Sequence, residues 1–197
     1  MDGEKSGPTL DEAVSQLIDS IKERNLEDPH FVQVAIALEI EKDNSFSSLL
    51  FLALTGDDNE IKVFDLEKGS VKYSKHLSNQ IKTIAISDSG SLVFATAQRE
   101  DTIIWDISED NIIYNKQNRV TNYTSADFSN DEQYLSIGTF TGKIIRLNAS
   151  TGEQVNKWQA KPRQSYGSAS SKAIIDLVDN DNTISALTSD GMFETFQ

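Results

Sequence analysis

Few residues in this chain are of types that do chemistry. Histidine occurs twice, at His30 and His76, and cysteine does not occur. Thiolate nucleophiles, disulfides and Cys-based zinc sites are therefore excluded. His30 follows Pro29 at the entry to an apolar run, and His76 falls in a connection between repeated segments. Both suit turn or packing roles better than catalysis. The densest carboxylate run is Asp176-Leu177-Val178-Asp179-Asn180-Asp181-Asn182, whose oxygens are of the right type for calcium. A calcium loop of the helix-flanked kind needs a Gly at its sixth position and a distal Glu, and neither is present. A solvated hairpin tip is the expected role, and Asp57-Asp58-Asn59-Glu60 reads the same way. General acid–base work by paired carboxylates needs a shared pocket, which sequence spacing does not supply. No HExxH, glycine-rich phosphate loop or serine-nucleophile elbow occurs. No catalytic, cofactor-binding or metal-ligating residue is expected, and no enzymatic activity.

Charge narrows the partners. With 31 acidic and 18 basic residues the formal net charge is −13, which opposes binding to a phosphate backbone through counterion release. The most basic stretch, Lys157-Trp158-Gln159-Ala160-Lys161-Pro162-Arg163, carries only three charges. Nucleic acid is thus not an expected partner. The N-terminus is acidic and lacks the order of a secretory signal. No apolar stretch nears the ~20 residues of a membrane span, so no membrane insertion is expected. Without a secretory route, the sequons Asn122-Tyr123-Thr124 and Asn148-Ala149-Ser150 read as chance. The expected compartment is the cytoplasm, with the nucleus as the alternative.

The elements that must position these residues fall into two parts. Residues 1–28 combine a loose polar tail with an amphipathic helix of about Leu10–Arg24. Thr9-Leu10-Asp11-Glu12 forms a capping box, and Leu10, Val14, Leu17, Ile18 and Ile21 recur at helical spacing. Asp28-Pro29 stops the helix. These five apolar residues are the expected partner-binding face, with packing against the chain's own sheets as the alternative. From Pro29 the period changes to alternation, starting with Phe31–Ile40. Short strands then follow, separated by Gly, Asp, Asn and Ser turns every 8–12 residues. The predicted strands include Leu49–Leu54, Ile61–Leu66, Ile81–Ile86, Ser91–Ala97, Thr102–Ile107, Tyr123–Phe128, Gln133–Phe140, Lys143–Leu147, Ala173–Val178 and Ile184–Thr188.

The strands recur as units. Phe64-Asp65, Trp105-Asp106, Leu147-Asn148 and Phe196-Gln197 close apolar runs at intervals of 41, 42 and 49 residues. Units two and three superimpose without a gap: Ser87 falls on Ser129, Leu92 on Tyr134, Ala95 on Ile137 and Trp105 on Leu147. A spacing near 40 indicates repeated four-stranded sheets. The units run over about 30–75, 76–116, 117–160 and 161–197, the last with three strands.

Over residues 29–197 this pattern resembles the WD-repeat β-propeller family, in divergent form. The residues that carry the resemblance are the Trp105-Asp106 pair, the hairpin Ala85-Ile86-Ser87-Asp88-Ser89-Gly90 and its weaker echo Asp127–Glu132. Asp58 and Asp190, each six positions before the closing aromatic, add to it. Arg99 and Thr141 stand where that aspartate would be in units two and three. The usual Gly-His pair is missing, with Lys75-His76 the nearest match. The resemblance implies an all-β fold: a partial or small propeller of about four blades, the last lacking its outer strand, preceded by one helix. A β-sandwich shares the turn spacing but does not predict the recurrence.

The same resemblance implies a noncatalytic interaction scaffold or adaptor, as a subunit or fragment of a larger assembly. Its expected partners are other proteins, including a chain or second copy that completes the propeller. Closure by a longer chain, in trans, or as a small self-closed ring are all open. The alternatives are a propeller enzyme or ligand binder with a site at the central channel, and a sensor segment of a larger regulatory protein.

Overall fold

Alternating apolar residues and glycine- or aspartate-bearing turns build antiparallel meanders wherever one strand can fold back on the last. The computed structural model describes residues 33–40, 46–55, 59–65, 70–97, 101–117, 122–161 and 172–197. The expected tail and helix, with Leu10, Val14, Leu17, Ile18 and Ile21, lie outside the described residues, as do His30, Asp57, Asp58 and Arg99.

The described chain is all-β, in four small antiparallel sheets. The first holds β1 (Gln33–Ile40), β2 (Phe46–Thr55), β3 (Glu60–Asp65) and β4 (Ser70–His76). The second holds β5 (Ile81–Ile86), β6 (Leu92–Ala97), β7 (Asp101–Asp106) and β8 (Asn111–Gln117). The third holds β9 (Tyr123–Phe128), β10 (Tyr134–Thr139), β11 (Lys143–Asn148) and β12 (Gln154–Gln159). The fourth has three strands, β13 (Ile174–Asn180), β14 (Thr183–Thr188) and β15 (Phe193–Phe196). Each sheet runs in chain order, so no strand crosses from one sheet to another as a two-sheet sandwich would require.

The sheets pack in series through their first strands: β1 against β5, β5 against β9, and β9 against β13. Thr83 Oγ1 donates to the Tyr123 carbonyl at 2.9 Å, and Thr124 Oγ1 donates to the Ile174 carbonyl at 2.5 Å. At the second and third junctions a threonine thus ties a first strand to the next. Among the described residues, no strand of the fourth sheet packs comparably against the first.

Among the described residues the core forms three clusters, one for each seam between consecutive sheets. Ile61 and Val63 meet Ile81, Val93, Ala95, Ile103 and Trp105 at the first. Ala85, Phe94 and Ile104 meet Phe128, Leu135, Ile137 and Leu147 at the second. Ile144 and Ala160 meet Ile174, Leu177, Ile184 and Ala186 at the third. Strand alternation sends successive residues to opposite faces, so the second and third sheets, each packed between two others, bury residues on both faces, and β5 and β6 read as nearly continuous apolar runs.

The recurring closing pair has a local cause. Trp105 is buried at the first seam, its Nε1 donating to Asp110 at 3.0 Å and its ring meeting Tyr73 edge-on at 6.4 Å. Asp106 accepts from the amides of Ser108 and Glu109, and Asn148 accepts from those of Ser150 and Thr151. Either side chain thereby closes the next turn. At the deviant turn of the third unit, the hydroxyls of Thr139 and Thr141 lie 3.2 Å apart, and Thr139 Oγ1 accepts from Lys143 N at 2.9 Å. Hydroxyls there take the place that Asp190 fills beside Thr188 in the fourth unit.

Candidate functional site: a carboxylate–arginine seam

Polar chemistry concentrates where the third sheet meets the fourth. The ladder aligns Asp127 with Ser136 and Ser136 with Arg146 across β9, β10 and β11. All three therefore share one face, turned toward the fourth sheet. Asp179, on β13, is fully buried there. Its carboxylate accepts from Ser136 Oγ at 2.5 Å and from Arg146 Nη2 at 2.8 Å, while its amide donates to Asp127 Oδ2 at 2.9 Å. Arg146 Nη2 also donates to the Asp181 carbonyl at 2.6 Å, and its guanidinium lies 4.3 Å from the Tyr134 ring centroid. The planar guanidinium is thus held by a carboxylate, a carbonyl and an aromatic face, as suits an arginine with only 13% of its side chain exposed.

Gly138 permits this closeness. A Cβ on it would sit 2.3 Å from Ser125 Oγ and 2.6 Å from Ile174. Any larger residue would wedge the two sheets apart.

The seam continues along the hairpin tips. Ser89 donates to Glu132 from its amide at 2.6 Å and its hydroxyl at 2.8 Å, and Asp131 N donates to Asp181 Oδ1 at 3.0 Å. Three tips are linked in a row, from the second sheet to the fourth. Gly90 adopts φ 71° at its tip, and Glu132, one repeat later, holds φ 56°. Asp181 at φ 59° and Asp110 at φ 46° share that left-handed conformation, which costs a residue with a Cβ roughly 1–2 kcal/mol.

Burial and crowding set the protonation of this region. Burial pushes Asp127 up to about 6, helped by the charges of Asp179, Asp88 and Asp176 and opposed by the Asp179 amide. Asp179 is also raised by burial, against the pull of Ser136 and Arg146. Burial together with Glu132 and Asp181 raises Asp88. Asp131 is lowered, chiefly by the Ser129 hydroxyl. A carboxyl near neutrality inside a protein is what a general acid requires. Here, however, one Asp127 oxygen is engaged by a backbone amide, and Arg146 and Ser136 are committed to Asp179. The arrangement is suited to joining sheets. Among the described residues no group of three or more His, Asp or Glu could hold a metal ion.

The carboxylate run 176–182 is thus less uniform than expected. Asp176, Asn180 and Asn182 are exposed, but Asp179 is at the centre of the seam. The solvated-tip reading fails for Asp179 because its partners come from β10 and β11, more than thirty residues away. A signal did exist: at the 42-residue offset, Ala85, Phe94 and Ile104 become Asp127, Ser136 and Arg146. One apolar row turns polar as a set. His76 is exposed at the end of β4, away from this seam.

Two further features stand apart. A groove of about 630 Å³ between β12 and β15 is lined by Trp158, Phe196, Lys172 and Glu194. Trp158 donates to the Gln197 carbonyl there at 3.0 Å, and its ring lies 6.4 Å from that of Phe196. The face of the fourth sheet turned away from the third exposes Ile175, Val178, Leu187 and Phe193. Among the described residues, no helix is long and apolar enough to cross a membrane. The chain matches no protein-family model and no curated protein.

Proposed function

We propose that the chain is a WD-repeat-like propeller segment of about four blades, serving as a noncatalytic scaffold for other proteins. The observation that carries this reading is the serial packing of first strands, β1–β5, β5–β9 and β9–β13. Sheets joined that way radiate from a common axis, and each shields the apolar face of its neighbour. The recurrence of the closing pair, the Ser87 and Ser129 hairpins and the threonine ties supports the same repeat. The polar seam acts as a joint within the array, leaving the outer faces and rims for partners.

Cross-linking tests the architecture, because the chain has no cysteine to interfere. Cysteine pairs at Ser89 with Glu132, and at Asp131 with Asp181, should link within one chain. A pair at Ser89 with Asp181 should link far less. Equal linkage of all three pairs would overturn the radial order. For the function, immobilised folded protein should retain a protein partner saturably. Turnover of a small molecule, lost with Asp127→Asn, would instead make the chain an enzyme.

A further inference from the structure

The ladder registers show which residues of each sheet face the sheet that follows. In the second sheet these rows are Ala85–Phe94–Ile104 and Thr83–Thr96–Thr102. Ala85, Phe94, Ile104, Thr96 and Thr102 are all at most 5% exposed. In the third sheet the rows are Asp127–Ser136–Arg146 and Ser125–Gly138–Ile144, which close on the fourth sheet. The same rows in the fourth sheet are Val178–Ser185–Thr195 and Asp176–Leu187–Phe193. There Val178 is 49%, Leu187 40% and Phe193 68% exposed. This face repeats a docking surface, with apolar residues at positions that are covered twice elsewhere in the molecule.

The chain also carries the opposite half of such a seam. The row that faces the preceding sheet is Ile86–Val93–Trp105–Ile112 in the second sheet. Its members pack at the first seam, Ile112 among them. The corresponding ladder in the first sheet is Ile36–Leu52–Phe64–Val71, apolar throughout, and Val71 is 42% exposed. Among the described residues the first and fourth sheets do not pack on each other as neighbouring sheets do, so the two halves form no such seam there.

We propose that a second copy of this chain supplies the cover: the leading face of its first sheet seats on the open face of the fourth, and reciprocally, closing a two-chain ring. The occupant is chosen by continuity with the three seams already in the molecule, each of which places such a leading row on such a trailing row. Joining unlike surfaces is heterologous, and a heterologous contact ends in a ring when its rotation closes. Both copies carry a net charge of −13, so their long-range repulsion opposes the encounter. Salt screens that repulsion over about 8 Å at physiological ionic strength. Association should therefore tighten with added salt, opposite to a charge-driven complex. The inference rests on the radial reading above and extends it to a named partner.

Light scattering coupled to size exclusion tests it on the whole chain over a wide concentration range. The expected mass is that of two 21.9 kDa chains, with more dimer at higher salt. Phe193→Asp, with circular dichroism unchanged, should weaken the dimer on the order of a hundredfold, as for a charge placed in a desolvated contact. Val71→Asp should do the same from the other side. Mixing the two single variants should give a heterodimer joined by one seam, because one intact leading face then meets one intact trailing face while the other seam carries both charges. A single-chain mass throughout, a dimer indifferent to both changes, variants that fail to complement, or aggregation that Phe193→Asp does not cure would each overturn the proposal. If the tip cross-links form normally while the mass stays that of one chain, the inference fails and the radial reading stands. If the cross-links fail, the radial reading falls first.

Discussion

The second and third seams use the same ladder rows with opposite chemistry. Between the second and third sheets the row is Ala85, Phe94 and Ile104, packed on Phe128, Leu135 and Leu147. Between the third and fourth it is Asp127, Ser136 and Arg146, closed on Asp179. Apolar burial is nondirectional and does not titrate, so the core of the second seam tolerates rearrangement. The third adds to its apolar cluster of Ile144, Ile174, Leu177 and Ile184 a set of oriented bonds between buried charges, whose removal from water costs about as much as their attraction returns. It gains definition of fit rather than stability. The difference shows how a repeat array can set the joint between two particular sheets without altering the backbone of either.

The largest break in this comparison comes from the apolar side. Phe94→Ala removes a fully buried ring and should cost about 3–5 kcal/mol, read as a lower denaturant midpoint. Arg146→Ala leaves Asp179 buried without its counter-charge, and a loss of about 3 kcal/mol at pH 7 is expected. That loss should shrink in acid, as Asp179 takes up a proton. Replacing both, as Arg146→Met with Asp179→Leu, should recover most of it. Failure to recover would mean that the pair contributes more than specificity.

The third expected effect is a pH dependence at the third seam. A carboxyl whose folded pKa lies above its ordinary 3.8 holds its proton more tightly folded than unfolded. The stability that Asp127 contributes is therefore complete below pH 3.8 and is lost as pH rises through about 6. The shift corresponds to at most about 3 kcal/mol, at 1.36 kcal/mol per unit. Asp127→Asn keeps an oxygen for the Asp179 amide and should stabilise the protein at pH 7 by about 2 kcal/mol. In acid the difference should vanish, a trend that melting curves across pH would read directly. Phe94→Ala should show no such trend. The smallest effect belongs to the tips. Glu132→Gly relieves about 1 kcal/mol of left-handed strain but releases two bonds to Ser89. Net stability should change by less than about 1 kcal/mol, while the Ser89 amide exchanges faster with solvent.

Most of the strand order was legible because its cause is local. Ile81–Ile86 and Tyr123–Phe128 are predicted and found with identical bounds, since alternation and a turn aspartate or glycine mark each end. Thr102–Ile107 differs from β7 by one residue at each end, because Asp106 closes the following turn and Ile107 enters it. What one unit does to the next was not legible in the same way. Asp179 looked like one more surface acid because nothing near it in sequence is its partner. Arg146 has no acidic neighbour in its own strand, and only the ladder puts it in line with Asp127 and Ser136. Thr141 is the opposite case, since its hydroxyl neighbour Thr139 belongs to the same turn. Contacts between sheets depend on register across a seam, which single-sequence periodicity does not encode.

The three left-handed acidic residues share a direction. Asp110 reaches Lys75, Glu132 reaches Ser89 and Asp181 reaches the amide of Asp131; in each case the partner belongs to the sheet before. Every hook points toward chain already made. On a ribosome, a newly finished sheet would find its catch waiting, and would need nothing still unsynthesised to hold its strained tip. In these three tips the strained residue always follows its catch in the chain. Circular permutation between the second and third sheets would reverse that order for a single joint.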